Sequence, residues 1–516
     1  MSVSAAEDAT AEAARPGDSA FPPGKGIDLI QRTPLRVALI SVLVLVPCFW
    51  QARIQAVDLA SHLYNAWLST LIGEGKAPGL AIVSQRTNVL FDLGLAGLMR
   101  TVGPWAAEHI AVSLAVLVFF WGAFAMICAI SGRRPWYILA FIAVMAYGWT
   151  FHMGFMNFYL SLGLCCFAFS LLWKGQWKPA VCAVPLVALA LVAHAIPVAW
   201  LAGAMAYTWL ARRISPHARP ILLFAAVALM AVTRQFLMSH FATRWESSQF
   251  ISMTGADQIW IFQAKYHPLE FMLLAIWFSL LRRLVKLNGG EQVLFGIPLQ
   301  LCVVIAAAVM LLPGAILLPG YNHALRYGSE RMALVVGVCV CALVGSVSPG
   351  KREKAAIALL TGLFFSFLYI DARSLNYVEN LLEQSVAQIP PGSRVISALC
   401  DQHKDVNLLG HMLDRVCIRH CFSYANYEPS TAQFRIRATH ANPIVVAEDQ
   451  DANALQEGRY VVKPGDLPLY QIYLHGRYLD TRLLAAGEVT GATCLESTAN
   501  PTNLLREQEG DNTGMK

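Results

Sequence analysis

Asp58, His62, Asn65 and Ser69 stand at i, i+4, i+7 and i+11, just after the first strongly apolar run, so on an α-helix they share one face. A carboxylate and an imidazole one turn apart are what a general base with a supporting group requires. Through Asp58 the same face can also ligate a divalent cation such as Mg or Mn. Asp58 at a helix start can equally accept from free N–H groups as a cap, and the two roles are compatible. Leu59, Leu63, Trp67 and Leu71 lie beside this face and are expected to meet lipid or protein.

A second constellation is Gly320-Tyr-Asn-His323-Ala-Leu-Arg326-Tyr-Gly-Ser-Glu330-Arg331. Two guanidinium groups match phosphate oxygens bidentately, so Arg326 and Arg331, with Glu330 and His323 beside them, read as a clamp for a lipid phosphate or pyrophosphate. The competing reading is a solvated loop in which Glu330 pairs with Arg331. His267, in Tyr266-His267-Pro268, is a further substrate-binding candidate. Asn157 is expected to make an interhelical hydrogen bond, and His194 to break or turn a helix pair before Pro197. The chain contains no P-loop, GxSxG elbow or HExxH, which disfavours nucleotide-driven pumps, serine hydrolases and zincins.

These residues depend on apolar elements for their placement. Hydrophobic residues make up 56% of the 516 and charged residues only 14%, with mean hydropathy +0.49; soluble domains carry about 25% charged residues. Apolar runs at 36–50, 106–130, 136–151, 155–173, 179–193, 197–210, 220–238, 268–281, 292–312, 332–346 and 355–370 predict about eleven transmembrane helices. The 179–210 pair reads alternatively as one long tilted helix. With Lys25, Arg32 and Arg36 before the first span, the N-terminus is expected to be cytoplasmic, and each later basic cluster then also falls inside. The net charge of +6 is explained by these clusters and gives no reason to expect nucleic acid. Residues 51–105 become a first external loop, with amphipathic helices near 58–73 and 88–102 lying on the outer leaflet. His62, His109, His152, His194, His240, His267 and His323 all fall on the outer side, and only His217 is assigned to a cytoplasmic loop. The outer face is therefore the expected working surface.

The predicted organisation is a disordered cytoplasmic tail at 1–33, a transmembrane domain at 34–371, a soluble exported domain at 372–496 and a disordered tail at 497–516. The exported part is expected to be a small α/β or α+β domain, with a helix at 378–388 and strands at 394–399, 444–447 and 460–463. Eight of the twelve cysteines fall in spans. Cys400, Cys417, Cys421 and Cys494 fall in the exported domain and are disulfide candidates, with three connectivities open. His403, His411 and His420 among them also permit a zinc site.

The layout resembles the GT-C superfamily of integral-membrane glycosyltransferases over nearly the whole chain. The shared features are a cytoplasmic N-terminus, one span, a first external loop with an acidic residue on juxtamembrane helices, short paired spans and an exported C-terminal domain. The resemblance implies sugar transfer from a polyprenyl-phosphate donor to a glycan, lipid or protein acceptor, at the outer face of the cell (inner) membrane. It gives Asp58 the role of catalytic base or metal holder, and Arg326 and Arg331 that of phosphate-binding groups; His62, one turn on, is the group expected to support Asp58. The chain departs from the family pattern in having no second acidic residue next to Asp58 and a His at position 62. A non-catalytic GT-C-like membrane scaffold and a transporter or lipid flippase are the alternatives.

Overall fold

The computed structural model describes residues 34–495, apart from 322–323, 398, 402–405, 407, 432, 440–441, 476–477 and 492. Both expected tails, His323 and His403 lie outside the described residues. The chain is mostly helical. Pro104–Ser131, Pro216–His240 and Lys351–Val386 are long and apolar enough to cross a membrane, and six shorter apolar helices accompany them.

Pro104 in the first turn and left-handed Gly132 (φ 66°) after the last residue bracket the helix Pro104–Ser131. It packs against Met156–Leu172 with almost no side chain between the backbones. A Cβ added at Gly122 would stand 2.3 Å from the Gly163 carbonyl oxygen, and one at Gly163 would stand 2.7 Å from Phe119 Cα. By contrast, Arg219–His240 buries none of its residues and exposes Ile221, Phe224, Leu229, Val232 and Phe236, as a peripheral lipid-facing helix would.

Several elements differ from the sequence expectation. The run 136–151 is broken into Ile138–Ala146 and Trp149–His152, and 292–312 into Gly290–Leu294 and Ile297–Leu311. Residues 179–210, by contrast, form the two helices expected, Trp177–Ala193 and Ala195–Ala211, rather than one long helix, because His194 is extended between them and its Nδ1 accepts from the Ile196 N–H. Lys351–Val386 is one helix of 36 residues, about 54 Å at 1.5 Å per residue. It includes most of the helix expected at 378–388 and carries the C-terminal part of the chain directly on the last apolar run.

That part contains a small mixed sheet in the order Phe422–Ser423, Arg394–Ser397, Leu469–His475, Tyr478–Leu483, parallel except for the last pair. Two expected strands are absent from it. Residues 444–446 are buried but follow a turn around Asn442, whose Oδ1 accepts from the Ile444 N–H, and 460–463 contributes only an isolated bridge from Val461 to Val489. Burial accounts for the apolar character of 444–446, whereas 460–463 runs beside 487–490 with Val461 exposed and forms no ladder. Cys417 and Cys421 are disulfide-bonded. Cys400 and Cys494 stand in register on the parallel strands Leu399–Asp401 and Thr493–Leu495. The His420 Nε2 meets the Ile389 carbonyl at 2.8 Å, and no zinc site forms among the described residues.

A buried ionic cluster fastens this part to the helices. Arg415, on Leu409–Cys417, donates to both oxygens of Glu379 and to Glu108 Oε1, each at 2.7 Å, and to the Ile54 carbonyl at 2.8 Å. Four segments far apart in sequence meet on this one guanidinium. Arg415→Ala would leave the buried Glu108 carboxylate without its cation and Glu379 with only Arg53, 3.6 Å away; breaking a buried pair in this way typically costs about 3–5 kcal/mol. Thermal unfolding of the detergent-purified variant is expected to show a clear fall in midpoint; an unchanged midpoint would remove the cluster from the account of domain docking.

Candidate functional site

A cavity of about 1000 Å³ opens beside the start of the helix Val57–Gly73. Asp58 and His62 line it, whereas Asn65 and Ser69 do not. Asn65 accepts from Asn426 at 2.8 Å, and Ser69 donates to the Ala66 carbonyl, so this face runs from the cavity into the contact with the C-terminal part. The apolar face expected to meet lipid is covered by protein instead: Leu59, Leu63, Tyr64 and Leu68 are all buried.

Asp58 does not cap this helix. Ala56 is the N-cap residue, with no side-chain cap bond, and Asp58 follows in the first turn. Its backbone N–H donates to the Met153 carbonyl at 3.1 Å. Gly154 (φ 81°) makes that contact feasible, since a Cβ there would lie 2.5 Å from the Asp58 nitrogen. Close backbone approach thus sets Asp58 beside Phe155 and Met156 on the cavity wall, with its carboxylate making no hydrogen bond among the described residues.

His62 Nδ1 meets Asp92 Oδ1 at 2.6 Å, and the other Asp92 oxygen accepts from Asn157 Nδ2 at 2.7 Å. Asn157 Oδ1 in turn accepts from the Phe91 N–H at 2.8 Å, so the expected interhelical bond serves to orient Asp92. Asp92 is the second acidic residue that the sequence around Asp58 lacks. It arrives from the next helix, Leu90–Val102, in its first turn. Burial disfavours the His62 charge, but Asp92 first, then Glu428 and Asp58, hold its pKa up to about 9. Burial likewise opposes ionisation of Asp92, yet His62 and Asn157 bring it below its ordinary value.

The pH dependence follows. A raised histidine contributes stability that is complete below about 6.5 and lost as pH rises through about 9; the lowered Asp92 contributes above 3.8 and loses that contribution as pH falls below it. The thermal midpoint of the wild type is therefore expected to lose ground to that of Asp92→Asn between pH 6.5 and 9. Parallel curves would mean that the ion pair does not form.

Arg331, at the start of Gly328–Val344, lies over the Phe155 ring at 3.6 Å, with Nη1 3.5 Å from His194 Nε2. It has no carboxylate partner among the described residues, and its Nε is sealed from solvent without a hydrogen bond. The expected Glu330–Arg331 pair does not form: Glu330 accepts from Ser329 Oγ at 2.8 Å and faces a separate pocket of about 360 Å³ with Arg244 and Glu246. Arg326 is exposed and lines both cavities. His267 packs on Trp260 at 3.9 Å, with Glu270 3.6 Å away, and does not reach the main cavity.

The C-terminal part contributes residues that sequence reasoning missed. His411 and Tyr427 line the cavity with their rings 5.1 Å apart, and Glu428 accepts from Ser61 at 3.2 Å. His411 is disfavoured as a cation by burial but raised by Asp414, and burial pushes Glu428 up to about 8. His411 was visible in the sequence only as one of three histidines near cysteines; nothing there linked it to Asp58.

Among the described residues no three His, Cys, Asp or Glu side chains are arranged to hold a metal ion. Both Asp92 oxygens are engaged by His62 and Asn157, and Glu428 accepts from Ser61. The set does not fit the divalent cation expected at Asp58.

Fold and site together define a mostly helical protein with membrane-length apolar helices, a small C-terminal mixed sheet and a cavity between them that is charged at one end and apolar at the other. No protein-family model, curated protein or solved structure matches the chain.

Proposed function

We propose that this chain is a GT-C-like membrane glycosyltransferase, moving a sugar from a polyprenyl-phosphate donor to an acceptor at the outer face of the cell membrane. The reading takes about eleven spans, a cytoplasmic N-terminus and an exported C-terminal domain. One observation carries it. Arg331 keeps a partly buried guanidinium without an anionic partner, in a cavity whose far wall is apolar. A buried cation without an anion is expensive, and a phosphate matches its fork geometry. Ala199, Gly203, Met230, Leu237, Val304 and Ala308, from three neighbouring helices, line the apolar end as a prenyl chain requires. A membrane scaffold has no use for such a cation.

In this reading Asp58 takes the proton from an acceptor hydroxyl as that oxygen bonds to the donor's anomeric carbon, with inversion. The bond from that carbon to the phosphate oxygen breaks, and Arg331 stabilises the charge developing on the departing polyprenyl phosphate. His62 is held by Asp92 and acts as a positioning residue and positive neighbour of Asp58, not as a second base.

The test is binding of radiolabelled polyprenyl-phosphate sugars to the protein in nanodiscs. Saturable binding of at least one donor is expected. Failure of every donor in a panel of hexosyl and pentosyl phosphates would end the proposal.

A further inference from the structure

The charged centre and the apolar groove account for two sectors of the cavity wall, and a third remains. It is formed by Gln85, Thr87 and Asn88 from the first loop and by Thr431, Gln433 and Phe434 from the C-terminal part. These six side chains carry hydroxyls, planar amides and one aromatic ring, and no charge.

Hydrogen bonds fix where this shelf lies. Thr87 Oγ1 donates to the Leu191 carbonyl at 2.7 Å and the Val89 N–H to the Val192 carbonyl at 3.2 Å, which ties one end to the turn at His194, beside Arg331. Gln85 Nε2 donates to the Gln433 carbonyl at 3.1 Å, joining the two segments. Phe434 then stacks edge-on against Tyr427 at 5.6 Å, and Tyr427 meets His411. The shelf therefore rims the cavity from the phosphate-facing arginine round to the residues that face Asp58.

We propose that this shelf is the acceptor subsite and that the acceptor is a neutral carbohydrate. The inference rests on the glycosyltransferase reading above. Sugar hydroxyls pair with the amides of Gln85 and Asn88 and donate to the lone pairs of the Thr87 and Thr431 hydroxyls, whose protons go to the Leu191 and Glu428 carbonyls, and the C–H face of a pyranose or furanose lies on an aromatic ring. An acidic or basic acceptor would leave its charge opposite uncharged groups. An extended peptide would need a free strand edge in the cavity, and neither of the paired strands next to the shelf, Leu80–Ile82 and Ile436–Ala438, contributes a residue to the cavity wall.

The experiment uses the full chain in nanodiscs on an array of neutral gluco-, manno-, galacto- and pentose oligosaccharides, with an unstructured peptide library beside it. Decaprenyl phosphate binding is measured in parallel. Binding of a neutral oligosaccharide is expected, at least tenfold weaker in Phe434→Ala and in Gln85→Ala, variants on separate segments, with decaprenyl phosphate binding retained as proof of folding. Arg331→Ala is expected to do the opposite. Decaprenyl phosphate binding with no oligosaccharide bound, peptide binding in its place, or oligosaccharide binding by both shelf variants as tight as by the wild type would each overturn the subsite. Loss of decaprenyl phosphate binding in the wild type would overturn the glycosyltransferase reading itself.

Discussion

Arg331→Ala is expected to weaken polyprenyl-phosphate binding by about 30-fold or more, since truncating one partner of a buried charged contact costs about 2–5 kcal/mol. Arg331→Lys should recover little, because an ammonium loses both the two-pronged match to phosphate and the stacking on Phe155. Thermal stability of the unliganded protein separates this role from a structural one. An arginine that held the fold together would lower the midpoint when removed. Arg331 makes no ion pair, Asp58 and Glu330 attracting it only at longer range, and its Nε is sealed without a partner, so the midpoint should stay level or rise. A variant that binds donor normally, or that melts well below wild type, would return Arg331 to the architecture.

The sequence made the helical frame readable because apolar runs with charges between them have few solutions in a bilayer. Asp58 and His62 were readable for the same kind of reason: their spacing forces them onto one face. Asp92 was harder. It lies 30 residues from His62 in a segment whose periodicity marks a helix, but only the packing of Leu90–Val102 on Val57–Gly73 brings the two together. Its one local sign is a carboxylate in the first turn of the second helix of the same loop. His411, Tyr427 and Glu428 come from more than 300 residues further along the chain and owe their place to Arg415 and to the pairing of Leu80–Ile82 with Ile436–Ala438. No spacing rule reaches that far.

The failed strands have a related cause. Ile444, Val445 and Val446 are β-branched and buried, as a strand should be, but Ile444 and Val445 fill the main core while Val446 packs with Tyr424, whose carbonyl accepts from the Val446 N–H at 3.1 Å. Hydrophobic pattern reports burial, and burial does not require a ladder. The same ambiguity affected Val57–Gly73, whose amphipathic pattern suggested a lipid surface while the structure covers it with protein.

Asp58→Asn tests the chemistry most directly. A general base contributes roughly 10²- to 10⁴-fold to rate, so turnover should fall by that order while polyprenyl-phosphate sugar binding stays within a few-fold of wild type. Asparagine keeps the size of the side chain, and the Asp58 backbone bond to Met153 does not depend on the carboxylate, so the helix start should survive. Asp92→Asn gives the contrast. It removes the anion that holds His62, so its effect should appear as a shifted alkaline limb of the pH–rate profile near pH 9, with residual turnover well above that of Asp58→Asn. If the two asparagine variants instead lost activity equally and with the same pH profile, the base would be shared between the two helices and Asp58 would lose its separate role.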